Sequence, residues 1–331
     1  PRSTPLTCRR QRQMCIRDSS SIGSSPPQLS DPAPDDRYPA GMTDVLGVLR
    51  VGSPMWADRR WVGTLFPAGT RQGEELAVYA SWCTAVEGNT TFYALPDEAA
   101  VLRWRDQTPP WFRFCFKLPR SITHDRRLRH ADQELAGFLD RLTPLRARLG
   151  PTWIQLPPAF GPQDLGALDH FLANLPTDWS WGVEVRNRAF EAEGPAERAL
   201  NDLLFSRGVE RVLIDTRAVF AGPCETAAEI EAFERKPRLR VRPVALGSQP
   251  VVRFIGQTDH AANPAFWRPW VTKVAQWLHE GRSPIVFLHT PDNARAPEQA
   301  RAFYADVQSI VHGLAPLPDA QLADRQISAF D

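Results

Sequence analysis

Eight short β-rich runs recur along the chain at intervals of about 30 to 40 residues, and that rhythm restricts its fold more than any other feature. The runs are Val48–Val51, Ala85–Glu87, Phe112–Lys117, Thr152–Gln155, Trp181–Val185, Arg211–Ile214, Val251–Ile255 and Ile285–His289. Between them, Glu74–Trp82, Asp132–Leu145, Leu165–Leu175, Ala196–Arg207 and Pro269–Leu278 carry the 3.6-residue apolar spacing of surface helices. A strand and its crossover helix occupy one interval each, so eight intervals predict an α/β chain folded as a single TIM-type (β/α)8 barrel. A doubly wound open sheet is the alternative. No GxGxxG follows the first run and no P-loop is present, so nucleotide binding of that kind lacks a motif.

The chain of 331 residues is longer than this pattern requires. Residues 1–41 are built of Ser, Pro, Arg and Asp without apolar periodicity and are expected to be a disordered, non-native extension. Part of that segment, Arg12–Asp18, resembles translated sequencing adaptor, and Met42, directly before the first apolar run, reads as the native initiator. The barrel is expected over residues 42–316, with 317–331 as a C-terminal tail. Overall charge is +1, and without residues 1–41 it becomes −1, with 33 Lys and Arg against 34 Asp and Glu. Such neutrality lacks the field of a dedicated nucleic-acid binder. No apolar stretch reaches the roughly 20 residues of a membrane span, and no secretory core is visible, so a cytoplasmic protein without a membrane partner is expected. Cys8, Cys15, Cys83, Cys115 and Cys224 are scattered, without CxxC, and read as reduced thiols.

In a barrel of this kind chemistry gathers where the strands end. The runs lead to Glu87 and Asn89, Lys117, Gln155, Glu184 and Arg186, Asp215 and Arg217, Arg253, and His289 with Asp292 and Asn293. Side chains alternate across a strand. In the third run the phenylalanines Phe112, Phe114 and Phe116 therefore share the helix side, and Lys117 points into the barrel. In the fifth, Val183 and Val185 face the helices while Glu184 and Arg186 turn inward. These charges could close the barrel as structural ion pairs, Glu184 with Arg186 or Lys117 and Glu87 with Arg253. Convergence of so many on one mouth favours a ligand site.

The predicted mouth sets three carboxylates (Glu87, Glu184, Asp215) against three fixed cations (Lys117, Arg186, Arg253) and His289, and is nearly neutral. Fixed cations suit a small anionic substrate bearing phosphate or carboxylate. Glu87, Glu184, Asp215 or His289 would then serve as acid or base in hydrolase-, isomerase- or lyase-type chemistry. No cofactor is expected. A divalent metal on Glu87, Glu184, Asp215 and His289 is the less favoured alternative, because the cations would compete with it. Trp56, in Trp56–Trp61, offers an aromatic wall for a ring-bearing ligand or a hydrophobic cap on its loop. Basic segments Arg126–His130 and Arg235–Arg242 allow a second reading, a nucleic-acid-binding or processing barrel. Neither GxSxG nor HExxH is present. Oligomeric state is left open.

Several motifs resemble the YecE-like family, the domain of unknown function numbered seventy-two. They are Val86–Tyr93, Phe112–Lys117, Gln155–Pro158, Gly182–Arg186 and Phe287–Asp292, in order, over about residues 45 to 314. The resemblance implies a TIM-type barrel and no established reaction. Glu87, Asn89, Lys117, Gln155, Glu184, Arg186 and Asp215 match the family pattern. The chain is similar to the branch with Val252–Gly256 and His289–Asp292, whereas many relatives carry a histidine before the glycine and an Asn-Asn pair near the last strand. Asn187 and Phe190 stand where relatives commonly have His and Trp.

Overall fold

A computed structural model describes residues 45–321. The expectations for residues 1–41 and for Met42, and most of the proposed tail, lie outside the described residues.

Eight parallel strands form: β1 Arg50–Ser53, β2 Ala85–Gly88, β3 Arg113–Phe116, β4 Thr152–Gln155, β5 Trp181–Glu184, β6 Glu210–Asp215, β7 Val251–Ile255 and β8 Ile285–His289. Their order, β3-β2-β1-β8-β7-β6-β5-β4, makes β1 pair with both β2 and β8. The ends of this sheet meet through bridges Phe114↔Leu149 and Lys117↔Trp153, which bring β3 against β4 and nearly close the barrel. This arrangement excludes the open-sheet alternative.

Around it run α1 Glu75–Trp82, α2 Glu98–Gln107, α3 Asp132–Leu142, α4 Leu165–Ala173, α5 Pro195–Ser206, α6 Arg217–Ala221, α7 Ala227–Arg235, α8 Asn263–His279 and α9 Ala296–Gln308. Four of these, α2, α6, α7 and α9, fall outside the helical spans expected from apolar spacing. α8 starts six residues earlier than expected: Pro264 supplies the N-terminal proline, and Pro269 lies inside the helix. β1 begins at Arg50 because the amide of Val48 is taken by the Ser283 hydroxyl rather than by a strand.

Alternation sorts the strand residues into two populations. Phe112, Phe114, Phe116, Val183 and Val185 join the main core between strands and helices. Ala85, Cys115, Trp153, Val212, Val251, Ile285 and Phe287 fill the barrel axis as a separate apolar plug. Two residues further along several of these strands come Glu87, Lys117, Gln155, Arg253 and His289, which therefore sit as one polar layer on top of that plug. Cys83 and Cys115 are free and buried. The first residues of the proposed tail are docked: Trp82 Nε1 donates to the Gln321 carbonyl at 3.0 Å, and Arg301 to that of Pro318 at 3.0 Å.

Candidate functional site

The polar layer is a single connected network. Arg253, fully buried on β7, places two nitrogens on the Glu87 carboxylate at 2.9 and 2.8 Å and a third on Glu184 at 3.0 Å. Lys117 lies 3.0 Å from Glu87 and donates to Gln155 Oε1 at 2.9 Å. Arg186 donates to Glu184 at 2.8 Å and to the same Gln155 oxygen at 3.0 Å. The ion pairs anticipated from sequence thus form, but they share members. Below them, the ring of Trp153 takes Lys117 and Arg253 each at 5.0 Å, a cation–π floor on the apolar plug.

Burial and neighbouring charge set the protonation of this layer. Burial opposes ionisation of Glu184, but Arg253, Arg186 and Lys117 outweigh it and bring the carboxyl down to about 2. Glu87 is held well below the usual carboxylate range in the same way, against its own burial, by Arg253, Lys117 and His289. Burial, reinforced by Arg253, lowers the Lys117 ammonium to about 8. His289 is pushed down to about 4, chiefly by burial, so its ring is neutral near pH 7. Its Nε2 is 2.9 Å from the ionised Glu87 and must carry the proton there. Nδ1 is left with a lone pair.

Above the layer opens a cavity of about 710 Å³. Glu87, Asn89, Lys117, Gln155, Arg186, Arg253, His289 and Trp56 all line it, so eight of the ten residues expected at the site converge there. Glu184 lies just beneath, behind Arg186 and Arg253. Asp215 is the correction. On β6 the inward positions are Val212 and Ile214, so Asp215 faces the helices. There it accepts hydrogen bonds from Trp270 Nε1 at 2.8 Å and from the Arg217 guanidinium, and it does not line the cavity. Trp56 packs edge-on against Trp104 at 5.1 Å and also lines the cavity.

A further cation completes the lining. Lys236, at the end of α7, belongs to the basic segment Arg235–Arg242 and was not among the residues expected at the site, yet it lines the cavity. Burial, with Arg253 beside it, lowers its ammonium to about 8. Its ammonium makes no hydrogen bond or ion pair with another described residue. With Asp215 out and Lys236 in, the mouth holds four cations, Lys117, Arg186, Lys236 and Arg253, against the carboxylates Glu87 and Glu184. It is electropositive rather than neutral. Glu231 and Arg235 at the outer edge pair with each other at 2.8 Å and leave that balance unchanged.

The four donors named for a metal do not converge. Arg253 stands between Glu87 and Glu184, Asp215 is elsewhere, and no three His, Cys, Asp or Glu among the described residues group as a metal cluster. Nor is any helix among the described residues long and apolar enough to cross a membrane.

Comparison with known proteins places the chain against a family described as "Protein of unknown function DUF72", matched over residues 50–322. It is 42% identical over 271 residues to the UPF0759 protein YecE of Escherichia coli (strain K12), covering 82% of this chain and 97% of that protein. Crystal structures of DUF72 family proteins share the fold. One from Thermotoga maritima aligns with a TM-score of 0.57 and 19% identity over 79% of this chain and 98% of its own. Another, from Enterococcus faecalis V583, aligns with a TM-score of 0.56 and 18% identity over 80% and 97%.

Proposed function

Since the chain belongs to the DUF72 family, whose name carries no activity, we propose from the site itself that it is an acid–base enzyme acting on a small molecule that bears a phosphate or carboxylate. The observation that carries this reading is the uncompensated positive charge of the mouth, above all Lys236, a cation facing the cavity without an ionic partner among the described residues. An ammonium half-removed from water and surrounded by other cations is unfavourable until an anion arrives. Arg186 and Lys117 supply further donors, already oriented by Gln155.

His289 is the acid–base group of this proposal. Glu87 fixes its ring by accepting from Nε2, which aims the Nδ1 lone pair at a substrate proton. Burial, with Arg253 and Lys236 beside it, depresses its basicity. A bound dianion offsets those charges and makes Nδ1 a stronger base when substrate is present. The nucleic-acid reading has less support, because several arginines of the basic segments pair with acids: Arg126 with Glu134, Arg127 and Arg129 with Asp164, Arg242 with Glu193.

A thermal-shift panel of phosphorylated and carboxylated metabolites tests the proposal. A ligand at about a hundredfold excess over Kd should raise Tm by several degrees. Lys236→Met should remove most of that rise, whereas His289→Gln should retain binding and lose turnover. If wild type and Lys236→Met respond identically to every anion in the panel, the reading fails.

A further inference from the structure

The cavity is far larger than an anion and is not uniform. Its lining combines a cationic floor that includes Lys117, Arg186, Lys236 and Arg253 with the apolar and aromatic residues Met55, Trp56, Phe92, Tyr93 and Pro291. About 710 Å³ lies within the range of sites that enclose a ligand of nucleotide or drug size, and a phosphate group alone would leave most of it to water. Tyr93 is the telling residue. It is 81% exposed at the rim, held by edge-on contact with Phe92 at 5.1 Å, although an aromatic ring of this size gains little from standing in solvent. Nearby, Asn89 is oriented by its amide nitrogen, which donates to the Pro54 carbonyl at 2.9 Å, leaving its side-chain oxygen as an acceptor. Phosphate cradle, aromatic rim and a fixed amide acceptor are thus arranged around one space.

We propose that the occupant is a nucleoside monophosphate or a close analogue, its phosphate on the cationic floor and its planar ring against the rim formed by Tyr93 and Trp56. This rests on the anion-binding reading above and extends it to a ligand class. Stacking on an aromatic side chain tolerates any planar base, so the ring contributes affinity while the floor contributes charge. The mouth suits a single nucleotide rather than a strand, since the arginines of loop Arg126–Arg129 that would track further phosphates are paired with Glu134 and Asp164.

Calorimetric titration of the full chain with inorganic phosphate, ribose monophosphate, adenosine and adenosine monophosphate separates the two contributions. Adenosine monophosphate should bind about tenfold or more tighter than ribose monophosphate. Tyr93→Ala, an exposed position whose replacement leaves the core untouched, should abolish most of that advantage without weakening ribose monophosphate. Lys236→Met should weaken both phosphates together. Equal affinity for the two phosphates, or an advantage that survives Tyr93→Ala, overturns the nucleotide assignment and leaves the anion reading standing. Binding of neither phosphate overturns both. A single-stranded oligonucleotide binding tighter than the mononucleotide, with a steep salt dependence, overturns the single-nucleotide occupant.

Discussion

At the scale of single residues, the buried layer makes a definite statement about acid. His289 is held at about 4 against its ordinary 6.5, and Glu184 at about 2 against 4.5. For both groups the unfolded chain binds protons at a higher pH than the folded one. Stability therefore falls as pH falls through each interval. His289 acts between about pH 6.5 and 4, and Glu184 between about pH 4.5 and 2. His124, lowered to about 4 first by its partial burial and then by Arg120, shares the upper interval. Urea midpoints measured across this range should decline in both intervals. His289→Gln should flatten the upper decline more than His124→Gln does, because His289 is the more completely buried, and should leave the lower one in place. A midpoint constant from pH 6.5 to 4.5 in the wild type would contradict this assignment.

At the scale of elements, α7 delivers Lys236 to the cavity, and its start is fixed by a capping box. Thr226 Oγ1 accepts from the Glu229 amide at 3.2 Å, while Glu229 accepts from the Thr226 amide at 3.0 Å. Thr226→Ala should cost about 1 kcal/mol in denaturant unfolding. The same change should weaken binding of a phosphate ester, although Thr226 is not a cavity residue, because the turn carrying Lys236 loses its anchor. Unchanged binding alongside the stability loss would separate α7 from the site. This element also shows what the sequence could and could not disclose. The alternation Arg113, Cys115, Lys117 against three phenylalanines assigns faces directly, and the structure follows it. Val212-Leu213-Ile214 before Asp215 is apolar on both faces, so no alternation exists to phase it, and Asp215 was expected inward when it points outward. Lys236 follows a helix in a long, irregular connection between β6 and β7. Its direction depends on how α7 docks, which no local period records. Strand ends were legible where polar and apolar residues alternate; the loops that complete the mouth were not.

At the scale of the molecule, near-neutral total charge conceals an excess of two positive charges at one end of the barrel, and that end spans the barrel's least continuous joint. β7 and β8 are paired through five successive registers, Val251↔Ile285 to Ile255↔His289. β3 and β4 meet at isolated bridges, with the Leu118 amide donating to the Trp153 carbonyl at 2.9 Å and that of Gly150 to Phe114 at 2.9 Å. Lys117 on one side of this seam holds Gln155 on the other, and both line the cavity. An anion gripped by Lys117, Arg186 and Arg253, as proposed for the mouth, would tie together the flanks of the seam. Amide hydrogen exchange should find Leu118 and Gly150 opening at least about tenfold faster than the central amides of β7 and β8 in the free protein. A bound phosphate ester should slow the seam amides selectively, because binding to the closed form alone raises the free energy of local opening. If the seam is already as protected as β8 without ligand, closure of the barrel and occupancy of the mouth are independent. If ligand slows all amides equally, it stabilises the fold without bridging the joint.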